Sequence, residues 1–321
     1  MDTKLLEVIN LKQHFVQQTG FFKKKVNIVK ALDGVSFSIN DKETLGLVGE
    51  SGCGKSTLGK TILRLLEPSF GSIKFNGQDI TNINKQEMRA LRQKMQMIFQ
   101  DPFASLNPRM NIKNILEEPL LIHNMGNKQE RENKIYDLLN MVGLRKEVLS
   151  RYPHEFSGGQ RQRIGIARSL AINPKFIVCD EPVSALDVSI QAQIINLLQD
   201  LQYQLGLTYL FIAHDLHVVK HIASRIAVMY LGNIVEIGDA KSVFFQPKHP
   251  YTQALLSAVP TVFEEKKSKR ILLSGEIPSP INPPSGCKFH TRCPKAMTKC
   301  KTQVPILIKQ EQQEVACFLY D

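Results

Sequence analysis

Two stretches of this 321-residue chain carry residue types able to handle phosphate and water. The first, Gly49, Glu50, Ser51, Gly52, Cys53, Gly54, Lys55 and Ser56, has the spacing G-x-x-x-x-G-K-S and is followed by Thr57. It sits between an apolar run, ETLGLV, and a helical one, TLGKTILRLL. Glycines there let backbone N–H groups converge on phosphate oxygens at a helix N-terminus, where the peptide dipoles favour an anion. Lys55 is placed to reach β- and γ-phosphates, and the Ser56 hydroxyl to take one Mg²⁺ position. The second stretch, FIVCDEP, is a hydrophobic strand ending in two carboxylates 125 residues beyond Lys55. Asp180 would meet the metal at the strand's carboxyl edge, and Glu181 would polarise an attacking water. Together they predict hydrolysis of a nucleoside triphosphate.

A third stretch, Ser157, Gly158, Gly159 and Gln160, opens the helical run RIGIARSLAI and reads as a second anion-binding helix N-terminus. One nucleotide needs only one such loop from its own chain.

The elements that must hold these residues alternate between short β-type runs and helical stretches. Runs such as FIVC and YLFIA suit strands buried on both faces, which implies a parallel sheet covered by helices and an α/β fold. From Asp101 to about Phe156 the strand signal gives way to segments such as KQERENKIYDLLNMVGL, with apolar residues at helical spacing. Residues 101–156 are therefore expected as a helical insertion between core segments 1–100 and 157–240, with 241–321 as an extension. Four prolines between Pro278 and Pro284 predict an extended linker inside it.

Composition excludes several classes. At 43% apolar and 22% charged the chain is neither disordered, collagenous nor a disulfide scaffold. No run of 18 uninterrupted apolar residues and no signal-type start are present, so a cytosolic location is expected. Net charge is +11, which taken whole suggests nucleic acid or an anionic membrane surface. Its distribution weakens the first reading: residues 1–30 hold six Lys against two acids, residues 261–310 ten Lys or Arg against three, and the remainder is balanced. Cysteine is equally uneven, with Cys287, Cys293, Cys300 and Cys317 crowded into the end of the chain. A cytosolic location disfavours disulfides, and the C-x5-C-x6-C-x16-C spacing lacks the C-x2-C knuckles of zinc ribbons. A [4Fe–4S] cluster, zinc and ligand-free thiols all remain open.

With three motifs in this order, the chain resembles ATP-binding subunits of ATP-binding cassette transporters over nearly its whole length. That resemblance implies a P-loop ABC-type nucleotide-binding domain with an inserted helical subdomain and a Cys-containing C-terminal extension. It also implies ATP and Mg²⁺, and a head-to-tail pair in which Ser157, Gly158, Gly159 and Gln160 face the γ-phosphate held by the other subunit. By matching position, Gln100 contacts Mg²⁺ and water, Asp187 lies in the loop crossing the dimer interface, and His214 bridges the γ-phosphate and Glu181. The adenine-stacking aromatic is ambiguous among Phe21, Phe22 and Phe15. The segments QDPFASLNPRM and HPYTQALL and the Pro- and Cys-containing end resemble the oligopeptide, dipeptide and nickel importer subfamily. Some of its members are reported to carry a [4Fe–4S] cluster at this end. The subfamily implies a homologous ATPase partner, two membrane permease subunits, an extracytoplasmic binding protein, and a peripheral place on the cytoplasmic face of the membrane. Nickel or another small solute is the alternative cargo, and a soluble cassette ATPase working on nucleic acid or ribosomes the alternative class.

Overall fold

A computed structural model describes residues 3–19, 25–101, 105–258 and 271–321. Its strands are β1 (Lys4–Thr19), β2 (Lys25–Asn40), β3 (Thr44–Val48), β4 (Phe70–Phe75), β5 (Gln78–Asp79), β6 (Met95–Ile98), β7 (Phe176–Asp180), β8 (Thr208–Ala213), β9 (Arg225–Tyr230), β10 (Asn233–Asp239), β11 (Ile308–Gln310) and β12 (Gln313–Val315). The α-helices are α1 (Lys55–Ile62), α2 (Lys85–Leu91), α3 (Ile112–Ile122), α4 (Lys128–Met141), α5 (Gly158–Leu170), α6 (Val188–Leu205), α7 (Leu216–Ile222), α8 (Ala240–Phe245) and α9 (Pro250–Ser257). The chain divides into two compact units, residues 1–39, 44–82 and 213–321 in the first and residues 40–43 and 83–212 in the second.

In the first unit, β1 runs antiparallel to β4, with Leu6 opposite Phe75 and Val8 opposite Ile73, and a register shift between Ile9 and Lys12. A separate set of strands is built on β3, all five of whose residues are buried. Parallel to it lies β9, with Val48 opposite Val228, and β10 then pairs antiparallel to β9. The sheet continues into the cysteine-bearing end, because β12 pairs with β10 and β11 with β12. That end, distinct in charge and cysteine content, is thus tied to the strands that carry the phosphate loop.

In the second unit β7 is parallel to both β6 and β8, with Phe176 opposite Met95 and Thr208. Every residue of β7 and β8 is buried. Such strands have no polar face to alternate, which is why their sequences read as continuous apolar runs. Helices α3, α4 and α5 pack on one another, burying Ile115, Leu116, Leu120, Leu138, Leu139 and Ile164. Their starts are capped locally: Asn111, Asn127 and Ser157 each accept a backbone N–H three residues on, satisfying a donor that the helix leaves unpaired. Ion pairs Lys113–Glu132 (3.3 Å) and Arg131–Glu117 (2.9 Å) tie α3 to α4.

Phe211, fully buried on β8, tests how far this core carries stability. Phe211→Ala is expected to cost about 3–5 kcal/mol through lost burial and the cavity left behind, read as a lower midpoint in urea unfolding.

Candidate functional site

The first unit holds the phosphate loop. Beyond β3 the backbone enters the left-handed half of conformational space at Gly49 (φ 156°), Gly52 (φ 79°) and Gly54 (φ 109°). A Cβ on Gly49 would collide with the Met229 carbonyl oxygen, and one on Gly54 with that of Ala31. These two glycines are therefore required by close backbone approach as well as by φ. Gly54 is the N-cap of α1 and makes no side-chain cap, so the helix start presents N–H groups to whatever the loop encloses. Lys55 is buried, and its ammonium donates to the carbonyl oxygens of Gly49 (2.7 Å) and Glu50 (3.1 Å) and lies 3.9 Å from Cys53 Sγ. Burial pushes the Cys53 thiol pKa up, keeping it a neutral filler of the loop. Ser56 and Thr57 are half-buried on the first turn of α1, and Ser51 is exposed. His214 follows β8 and is exposed. Phe15 is half-buried on β1, while Phe21 and Phe22 lie outside the described residues.

The same loop receives two side chains that sequence patterns did not single out for it. The Tyr251 hydroxyl accepts the Glu50 N–H at 2.9 Å. Arg292 donates through both terminal nitrogens to the Glu50 carboxylate, at 2.7 and 3.1 Å. Neither was legible as a loop partner, since 201 and 242 residues separate them from Glu50.

The second unit holds the carboxylates. Asp180 closes β7 and is buried, and Glu181 follows it in a left-handed conformation (φ 46°) that non-glycine residues seldom adopt. Its N–H donates to the Ile212 carbonyl (3.0 Å) and its carbonyl accepts from Ser184 Oγ (3.1 Å), which holds the unusual backbone in place. Gln100, just past β6, donates from Nε2 to Glu181 Oε2 at 3.0 Å. This brings together an amide and a carboxylate 81 residues apart. Gln100 and Asp180 of this unit each carry a side-chain oxygen of the kind a hard cation such as Mg²⁺ takes, as does Ser56 in the first unit.

Ser157 and Gln160 are paired in a capping box at the start of α5, where both are exposed: Ser157 N–H donates to Gln160 Oε1 (3.1 Å) and Gln160 N–H to Ser157 Oγ (3.4 Å). The two glycines between them also serve packing. A Cβ on Gly159 would stand 2.6 Å from Ile190 Cγ2, and one on Gly158 would stand 3.2 Å from Leu186 Cδ2. Asp187 is the exposed N-cap of α6 and makes no side-chain cap bond.

At the C-terminal end all four cysteines are free thiols. Burial pushes Cys287 up to about 11, with smaller upward contributions from Cys300, Cys317 and Cys293, so the four lie within electrostatic reach of one another. Burial also raises Cys293 and Cys317. Among the described residues, no group of three or more His, Cys, Asp or Glu side chains is arranged to hold a metal ion.

Residues 32–184 match the family model described as "ABC transporter", and residues 235–300 the one described as "Oligopeptide/dipeptide transporter, C-terminal region". The chain is 55% identical over 320 residues to the oligopeptide transport ATP-binding protein AppF of Bacillus subtilis (strain 168), covering 98% of this chain and 97% of the relative. It is 49% identical to a probable peptide ABC transporter ATP-binding protein of Sinorhizobium fredii, covering 99% and 90%. Among solved structures, the dimeric cassette MJ0796 in a post-hydrolysis state with ADP and Pi aligns with a TM-score of 0.65 at 28% identity, covering 73% of this chain and 98% of that one. The cbiO1 structure from Clostridium perfringens, part of an ABC transporter complex, aligns at 0.65 and 27% identity, covering 77% and 92%.

Tyr251 owes its place beside the loop to His249, which caps α9 by accepting the Tyr251 N–H (3.1 Å) and donates its own N–H to buried Glu236 (3.0 Å). Burial pulls the His249 pKa from 6.5 to about 3. The unfolded chain therefore binds one more proton in that window, and this group's stabilising contribution is whole above pH 6.5 and declines as pH falls, by roughly 1 kcal/mol per unit. Glu236 is raised by burial and acts oppositely, its contribution being lost as pH rises through its elevated pKa. His249→Asn keeps a capping acceptor and removes the titration. It should flatten the loss of stability between pH 6.5 and 5, measured by urea unfolding at each pH.

Proposed function

We propose that this chain, which belongs to the ABC transporter family, is the ATP-hydrolysing subunit of an importer that takes up peptides. The hydrogen bond from Gln100 to Glu181, at the end of a strand whose last residue is Asp180, is the observation that carries the reading. It gives the second unit a carboxylate oriented by a neighbour, which is the requirement for aligning an attacking water. The identity to peptide-transport relatives and the match of residues 235–300 support peptide as the cargo.

In this reading the loop from Gly49 to Thr57 binds the phosphates of ATP, with Lys55 leaving the loop carbonyls for the β- and γ-phosphate oxygens. Ser56, Asp180 and Gln100 would hold Mg²⁺, which would supply charge neutralisation at the phosphates. Glu181 accepts a proton from the attacking water, and His214 donates to the γ-phosphate. Ser157, Gly158, Gly159 and Gln160 serve the ATP of a second, homologous ATPase subunit, and Asp187 lies at the contact between the two. Phosphoryl transfer of this kind is mainly positioning and electrostatics. Residues 101–156 form the helical subdomain that meets the permease, and residues 241–321 the subfamily extension. The complex comprises two permease subunits, a homologous ATPase partner and an extracytoplasmic binding protein, with this chain peripheral on the cytoplasmic face. No helix among the described residues is long and apolar enough to cross a membrane.

For the four free thiols Cys287, Cys293, Cys300 and Cys317 the readings are a [4Fe–4S] cluster, a zinc ion or reduced, ligand-free cysteines. Anaerobic purification decides between them. Absorbance at ~400 nm with about four irons per chain is the cluster outcome, and a colourless, iron-free protein ends that reading.

Glu181→Gln should retain ATP binding, lose hydrolysis by about a hundredfold or more, and hold the ATP-bound dimer closed. Phosphate release and size-exclusion chromatography with ATP measure both effects, and parental turnover by this variant would remove Glu181 from its role.

A further inference from the structure

The HPYT segment and the cysteine-bearing end take no part in the hydrolytic steps above, yet within the first unit both reach the phosphate loop at one residue, Glu50. Arg292 lies between Cys287 and Cys293, is 8% exposed, and grips the Glu50 carboxylate with both arms of its guanidinium. Its own backbone is held by donation to the Phe289 carbonyl (3.0 Å). Lys288, in the same turn, is pinned to Asp33 and to the Leu231 carbonyl, each at 3.0 Å. Tyr251 is fully buried and presents its hydroxyl to the Glu50 N–H. Its ring packs against Tyr230 (4.7 Å between centroids) and Phe289 (5.3 Å). The loop's second residue is therefore fixed at its backbone by one C-terminal segment and at its carboxylate by another.

The carboxylate is the reason such a grip matters. An acid within a loop that gathers phosphate has the wrong sign, and at partly buried separations of several ångströms like charges repel appreciably. A bidentate arginine both neutralises that charge and fixes its direction, which a lysine's single ammonium cannot do equally well.

We propose that Arg292 is a positioning residue of the phosphate site: it cancels and aims the Glu50 carboxylate so that the loop accepts ATP, and Tyr251 holds the loop backbone beside it. The C-terminal extension is thereby part of the nucleotide site, and displacement of its cysteine-containing turn lowers ATP affinity. This rests on the reading of residues 49–57 as the ATP site.

The test uses the full-length chain, with MgATP binding by equilibrium titration alongside KM and kcat for hydrolysis. Arg292→Gln should raise the ATP Kd and KM by about tenfold while kcat at saturating ATP stays within about twofold. Arg292→Lys should recover part of the affinity, because it keeps the charge and loses the fork. Glu50→Gln added to Arg292→Gln should bring Kd back toward the parental value, since the repelling charge has gone. A merely structural role moves none of these selectively: Kd would follow the loss of thermal stability, and the second substitution would not rescue it. Parental Kd in Arg292→Gln, or no rescue in the double variant, overturns the proposal. Should Arg292→Gln not fold, Arg292→Lys carries the test: a several-fold weaker Kd supports it, and parental affinity across a salt series overturns it. A parental chain that binds no ATP overturns the site reading itself, and the clamp with it.

Discussion

A phosphate-binding loop built from backbone must turn sharply at the tip of a buried strand, and in this chain that requirement organises the whole first unit. The turn is made by residues lacking a Cβ, because Met229 and Ala31 carbonyls stand where side chains would otherwise go. A buried ammonium fills the turn: Lys55 is held by the loop's own carbonyls at Gly49 and Glu50. A charge so placed costs desolvation unless its protons have acceptors, and the loop's own carbonyls supply them. Strand β3, from which it springs, has no exposed residue and draws its parallel neighbour β9, with β10 beyond it, from the chain some 180 residues later. A long stretch of the chain's C-terminal part thus supports a turn near its start.

The C-terminal end follows the same logic. Its hairpin, β11 and β12, adds to the edge of β10, and its cysteine-bearing turn sends Arg292 onto Glu50. The aromatic group of Tyr230, Tyr251 and Phe289 fills the space behind that contact, Tyr230 edge-to-face with both others and Tyr251 tilted against Phe289, with centroids 4.7 to 5.3 Å apart. Buried His249 and Glu236 secure the start of α9 through backbone N–H bonds. Charge and cysteine count mark this segment as unlike the rest of the chain; its contacts make it the far wall of the phosphate loop.

In the second unit, strain and packing replace the turn as the organising device. Glu181 occupies a left-handed conformation against its intrinsic preference, held by the Ile212 carbonyl and the Ser184 hydroxyl and reached by Gln100. Such over-determined backbone is typical where a carboxylate must point one way. Gly158 and Gly159, read first as a place for an anion to approach, also let α5 lie close to Leu186 and Ile190. The two uses are compatible, because a helix start freed of side chains is both approachable and packable.

Short-range chemistry was legible from residue types alone. The spacing of Gly49, Gly52 and Gly54 before Lys55, the apolar run ending at Asp180 and the capping pair Ser157 and Gln160 are each determined within a dozen residues, where φ/ψ preference, strand burial and helix capping act. The α/β class and the helical stretch followed from the same local periods. Tertiary structure alone decided the rest: that Gln100 meets Glu181, that a C-terminal hairpin extends β10, and that Arg292 and Tyr251 converge on Glu50. Those contacts join residues from 75 to 242 positions apart, and no local preference encodes them. They exist because burying the strands and rings leaves each polar group one place in which its hydrogen bonds can be made.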